Sequence, residues 1–200
     1  MRVWGIVAVM FLALGAMASS QEVWLLAVEG EIGRGTVSYL RQGLGESQAA
    51  GAPAVVIEFA TPGGLLDAAT AARDLIMASA IPTFAYVNRE AYSAGALLAI
   101  ACERIYFAPG GVLGAATPVY FTGEEAPEKT ISAVRALFRA TAEARGRPPE
   151  VAEAMVDRDV AVVGLIEQGK LLTLTAQEAA AWGYADGEAE KLAEVLRLAG

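Results

Sequence analysis

Short apolar runs alternate along the chain with segments of helical period. Val23–Val28 (VWLLAV), Ala54–Phe59 (AVVIEF), Thr83–Val87 (TFAYV) and Arg104–Phe107 (RIYF) read as strands. Their apolar positions are continuous rather than alternating. That pattern suits a sheet covered on both faces, and so parallel pairing. Between the first two strands, Thr36 to about Ala50 places Val37, Leu40 and Leu44 on one helical face, although Gly43 and Gly45 weaken it. Leu65 to Ala78 keeps a period near 3.6 through Leu65, Leu66, Ala69, Arg73, Ile76 and Met77. Ala94–Cys102 (AGALLAIAC) is apolar all round, which predicts a buried helix. Lys129 to about Ala144 is amphipathic through Ile131, Val134, Leu137 and Phe138, and Pro148-Pro149 opens a further short helix. Val162–Ile166 and Leu171–Leu174 are expected as two strands around the turn Gln168-Gly169. Thr175 is expected to cap a helix that ends before Gly183, and Leu192–Leu198 to close the chain. The β-α-β-α succession predicts an α/β layered fold: a mostly parallel sheet flanked by helices. No internal repeat or second domain is visible.

The first twenty residues, MRVWGIVAVMFLALGAMASS, follow a different logic. Arg2 precedes an apolar run from Val3 to about Leu14, and Ala16-Met17-Ala18 follows as a small-x-small pattern. This is the layout of a secretory signal peptide, with an uncleaved N-terminal anchor as the alternative. The expected division is therefore a targeting segment over residues 1–18 and one domain over 19–200. The domain is exported, facing the periplasm or the outside and associated with the membrane through this segment or a partner.

Composition then removes whole classes of chemistry. Hydrophobic residues make up 55% and charged residues 19%, so the chain is globular rather than disordered. The net charge of −8 argues against a nucleic-acid partner. The single cysteine, Cys102, leaves no disulfide framework. There is no histidine, which excludes the Ser-His-Asp triad, the Cys-His dyad and nearly every common zinc site. No metal or cofactor is implied.

Two places break the packing pattern. Thr61-Pro62-Gly63-Gly64 follows a strand and precedes a helix. Proline presets a turn and glycines permit unusual backbone angles, so amide N–H groups there could hold a carboxylate, a phosphate or an oxyanion. A plain tight turn explains the same residues. Ala91-Tyr92-Ser93-Ala94-Gly95 places a serine at the start of the buried helix. The pattern is close to the G-x-S-x-G nucleophile elbow, with Ala91 at the first glycine. An ordinary N-cap serine is the competing reading.

A nucleophilic serine needs a base, and lysine is the substitute for histidine. Lys191 lies among glutamates and Lys170 sits at a turn, so Lys129 is the best candidate of the three lysines. Such a base must be desolvated. Lowering a lysine pKa from ~10.4 to ~7–8 costs the ammonium about 4 kcal/mol. Glu124, Glu125 and Glu128 oppose this unless they face solvent. A surface lysine in an ion-paired loop is the competing reading.

The order strand, TPGG, helix, strand, YSAGA, buried helix, lysine-bearing loop and LTAQEAAAWGYADG resembles the ClpP/crotonase superfamily. More narrowly it resembles the protease domain of NfeD-type membrane-associated serine proteases, partners of stomatin-like proteins, and more distantly signal peptide peptidase A. The resemblance runs from about Val23 to about Leu196. It implies that Ser93 is the nucleophile, that Lys129 in Pro127-Glu128-Lys129 is the general base, and that Gly63 and Gly64 supply oxyanion amides; the Ala94 amide at the helix start is expected to join them. It further implies apolar, membrane-proximal peptide substrates, a stomatin-like partner and a homo-oligomer. Two features depart from the pattern. Ala60 stands where family members often have Asp before TPGG, and the chain stops at Gly200 where members commonly continue into membrane spans and a small β-barrel. Two other functions fit the same features: a catalytically inactive scaffold for a stomatin-like partner, and a crotonase-fold enzyme acting on acyl-CoA.

Overall fold

The structure is a computed structural model that describes residues 22–120 and 122–199. The expected signal segment lies outside the described residues. The elements are β1 (Trp24–Ile32), α1 (Arg34–Ala49), β2 (Val55–Gly64), α2 (Leu66–Met77), β3 (Thr83–Tyr92), α3 (Ala94–Ala101), β4 (Arg104–Phe107), β5 (Val112–Gly114), α4 (Glu128–Ala144), α5 (Pro149–Val156), β6 (Thr173–Thr175), α6 (Ala176–Ala181), β7 (Gly187–Glu188) and α7 (Leu192–Ala199). Among the described residues, the strands form one sheet in the order β1-β2-β3-β4-β7, with β5 pairing β3 and β6. Every pairing is parallel except β5 with β6.

The apolar runs of β2, β3 and β4 do bury both faces, whereas β1 leaves Leu25 and Ala27 exposed on one. Val55, Ile57, Phe59, Ala85, Val87, Ile105 and Phe107 belong to the main core with the helices from α1 to α6. Val56, Phe84, Tyr86 and Tyr106 point the other way, against Val195 and Leu192 of α7. Alternate residues of one strand thus feed two cores, as the strand period of two requires. The edge strand β1 is blunted on its free side by Tyr39, whose hydroxyl oxygen accepts the Ala27 N–H at 3.1 Å.

Three expectations need correction. The TPGG segment is not a turn outside the sheet. β2 continues through it, with Glu31 opposite Gly63 and Ile32 opposite Gly64. The helix begins only after Leu65. The register slips at Pro62, which has no N–H to give to a ladder. Likewise β3 runs on to Tyr92, so Ser93 follows the strand directly. Finally, Val162–Ile166 and Leu171–Leu174 do not form a hairpin. Val162 and Ile166 make one isolated bridge with each other, while β6 pairs with β5, a strand the sequence pattern missed. The Thr175 cap is present in full: its hydroxyl accepts the Glu178 N–H, and the Glu178 carboxylate accepts the Thr175 N–H.

Candidate active site

The C-terminal ends of β1, β2 and β3 meet the N-terminus of α3, the place where α/β sheets commonly bind ligands. Ser93 sits at the N-cap of α3 with φ 53° and ψ −117°. Its backbone carbonyl accepts the Ala96 and Leu97 N–H groups and so starts the helix. Its side chain makes no capping hydrogen bond. The N-cap reading of this serine therefore fails: the position is an N-cap, but the hydroxyl is not spent on it. Among the described residues only Ser93 and Ala115 combine a side chain with positive φ; Ser93 lines the groove and Ala115 precedes its wall residue Ala116. Strain of this kind costs on the order of 1–3 kcal/mol per residue and collects at functional sites.

Packing holds the serine in that conformation. Ser93 N–H donates to the Gly114 carbonyl at 2.9 Å. Gly63, at φ 108°, lies so close that a β-carbon there would stand 3.1 Å from Ser93 Oγ. Thr61 is fully buried between these parts. Its hydroxyl donates to the Gly30 carbonyl at 2.5 Å and accepts the Gly63 N–H at 3.1 Å. Its methyl group fills the space that Gly95 leaves on α3. This hub went unnoticed in the sequence, where Thr61 counted only as the start of a turn.

The groove has a volume of about 300 Å³ and contains Ser93, Ala94 and Gly64 in its wall. The rest is mostly apolar: Leu65, Leu66 and Ala69 on one side, Leu97 below, Val134 and Phe138 from α4, and Ala116 to Tyr120 opposite. Leu65, Leu66, Val119 and Tyr120 are exposed at its rim. Ala94 is the first helical residue, where N–H groups have no intrahelical acceptor. Gly63 N–H is engaged with the buried Thr61 hydroxyl, and Gly63 is not among the residues that line the groove.

Lys129 is exposed in the first turn of α4 and is not among the residues of the groove wall. At 3.6 residues per turn it lies roughly 140° around the helix from Val134, which does line the groove. Lys170 pairs with Glu167 at 2.8 Å, and Lys191 is exposed. Glu125, one of the carboxylates expected to disfavour a neutral amine at Lys129, forms an ion pair with Arg158.

The far end of α3 is clamped. The buried Arg147 guanidinium donates to the carbonyls of Ile100, Cys102 and Glu103 at 3.0, 3.0 and 3.1 Å, and Arg145 donates to Ala101 at 2.7 Å. These fill the orphan acceptors of a helix C-terminus with positive charge. Burial lowers the Arg147 pKa, an effect opposed chiefly by the Asp186 carboxylate 3.9 Å away. Asp186 also accepts the Ile105 N–H at 2.8 Å. The Asp186-Gly187 segment thus serves the scaffold. Cys102 is enclosed here, and burial pushes its thiol up to about 12.

Known proteins are similar to this chain in sequence and fold. Membrane protein NfeD1b of Bacillus subtilis (strain 168) is 39% identical over 189 residues, covering 94% of this chain and 43% of that protein. Membrane-bound protease PH1510 of Pyrococcus horikoshii is 28% identical over 199 residues, covering 96% of this chain and 42% of its own length. The chain thus spans about two fifths of these curated relatives. A solved structure of the 1510-N membrane-bound stomatin-specific protease, a lysine-to-alanine mutant in complex with a substrate peptide, superposes with a TM-score of 0.78 at 28% identity, over 90% of this chain and 80% of that one. ClpP1 of Listeria monocytogenes shares the fold, with a TM-score of 0.66 at 18% identity over 86% of this chain and 94% of that one. The fold is ClpP-like, and, with the family described as NfeD1b, N-terminal domain matching residues 22–200, the chain belongs to that family.

Proposed function

We propose that the chain is a serine endopeptidase acting on apolar, membrane-proximal peptide segments. The observation that carries this reading is Ser93. Its hydroxyl is unspent, its backbone is held at positive φ, and it opens into an apolar groove beside Gly64 and the Ala94 N-terminus. An alcohol placed so can attack a scissile carbonyl and form an acyl-enzyme. The amides of Gly63, Gly64 and Ala94 then hold the oxyanion. Lys129 is the base: its neutral amine takes the Ser93 proton, returns it to the leaving amine, and later activates water. For this the side chain must turn inward from its exposed position as a bound peptide covers the groove and dries it. The naming of PH1510 as stomatin-specific supports a stomatin-like substrate. We assign the domain to the exported side of a membrane, as a homo-oligomer.

The exposed Lys129 favours one second reading, a catalytically idle scaffold that holds a stomatin-like segment in the same groove. Hydrolysis of an unstructured apolar peptide separates the two. Endopeptidase activity that disappears in Ser93→Ala and Lys129→Ala supports the dyad. A wild-type protein that cleaves nothing and takes no serine-directed phosphonate label supports the scaffold.

A further inference from the structure

The groove beside Ser93 contains one formally charged side chain. Glu31 is the only ionisable acid or base among the lining residues apart from the Tyr120 phenol. Its place is set by the sheet. Glu31 is paired with Gly63, the glycine packed against Ser93. Between Glu29 and Glu31 the β1–β2 register shifts, with Gly30 at φ 67°. Irregularities of this kind re-aim side chains next to active sites. Among the described residues Glu31 enters no ion pair, and no lysine or arginine lines the groove to neutralise it. A carboxylate at the mouth of an otherwise apolar channel would repel acidic peptides and attract basic ones. The exposed Leu65 and Leu66 at the same rim offer the surface on which the aliphatic stem of a lysine or arginine lies.

We infer that Glu31 is a specificity-determining residue that reads a basic side chain next to the apolar stretch of the substrate. The preferred segment carries Lys or Arg beside the residue that fills the groove. This rests on the peptidase reading of Ser93 for its consequence in catalysis, but the recognition itself is measurable without turnover.

The test uses the full chain carrying Ser93→Ala and a set of N-acetylated, fluorescent apolar peptides. In each peptide one position is Lys or the uncharged norleucine, and that position is moved along the sequence. The expected result is a register at which Lys binds about two- to fivefold tighter than norleucine. The preference shrinks as salt is added. It disappears when Glu31→Gln is added, and Glu31→Lys transfers it to peptides with Glu at that register. The proposal is overturned if no register distinguishes the two residues, or if the preference survives Glu31→Gln. It is also overturned if only removal of the acetyl group strengthens binding, which would assign Glu31 to a free α-amine. With Ser93 intact, a Glu31→Gln change that lowers kcat equally for both peptides at constant KM would place the carboxylate at the reaction centre and overturn the proposal. A Lys preference in binding without any wild-type hydrolysis would refute the peptidase reading and still support Glu31 as the reader.

Discussion

A β-carbon built on Gly63 would stand 2.6 Å from the β-carbon of Ser93. The two residues come from different elements, β2 and the N-cap of α3, and their contact fixes the serine against the segment proposed to offer the oxyanion amides. Gly63→Ala is therefore expected to do more than strain a backbone at φ 108°. Gly110→Ala is the control, because its φ is 82° and a β-carbon there meets nothing within 4 Å. The control should lose about 1 kcal/mol and Gly63→Ala about 2–4 kcal/mol in urea unfolding. Phosphonate labelling of Ser93 should fall by more than tenfold only in Gly63→Ala, roughly the cost of misplacing a reacting group. Equal behaviour of the two variants would mean that the close approach has no role.

Thr61 ties three elements with one hydroxyl and one methyl. Thr61→Val keeps the shape but leaves the Gly63 N–H without its present acceptor and the Gly30 carbonyl without its donor. A loss of about 1–3 kcal/mol follows for such buried groups. Thr61→Ser restores the hydroxyl while emptying the contact at Gly95. It should recover peptide hydrolysis better than Thr61→Val does, although both are destabilised. If valine hydrolyses peptide as well as serine does, the hydroxyl does not position the oxyanion segment.

The sequence made the layers legible because apolar strands and helical periods report burial directly. Val55–Phe59 and the all-apolar α3 needed no tertiary information. The serine was legible for the same reason: Ser93 interrupts small and apolar residues just before a helix. What escaped depends on pairing across the chain. Nothing local says that TPGG stays in the sheet, because the partner of Gly63 and Gly64 is the end of β1. β5 is three residues long and is recognisable only beside β3 and β6. Glu31 looked like one acid among many until the register shift set it beside Gly63. Lys129 shows the opposite limit. Elimination among three lysines made it a candidate, but elimination carries no information about which way a helix face turns.

Arg147 and Cys102 make the far end of α3 a stability element. Arg147→Met removes three donors from carbonyls that stay buried, and should cost about 3–5 kcal/mol, as breaking a buried charged contact does. Thermal unfolding reads this. Cys102 should resist alkylation in the native protein and react fully once unfolded, because its thiol is buried and its pKa is raised to about 12. The sign of the linked pH effect follows. The unfolded thiol, with its ordinary value of 9.0, loses its proton first as pH rises. Stability from this group is fully present below that value and declines as pH climbs from there toward the folded value. Cys102→Ala should flatten this alkaline decline. A native thiol that alkylates rapidly at neutral pH would contradict the enclosure.

Lys129 decides between enzyme and scaffold. The side chain is exposed, so Lys129→Ala should leave the unfolding free energy within about 0.5 kcal/mol of wild type. A general base, by contrast, is worth about 10²- to 10⁴-fold in rate. Loss of hydrolysis on that scale with an unaltered melting curve assigns the residue to chemistry rather than to folding. Lys170→Ala and Lys191→Ala are the matching controls. The first removes an exposed pair with Glu167, and both should hydrolyse peptide like wild type. Peptide affinity gives the remaining discrimination. If Lys129 turns inward only over bound peptide, Lys129→Ala should bind the peptide within a few-fold of wild type while failing to cleave it, since the apolar walls from Leu66 to Phe138 remain. Undiminished hydrolysis by Lys129→Ala would remove the Ser-Lys dyad, and the base would then have to come from another group at the groove or from a second copy of the chain.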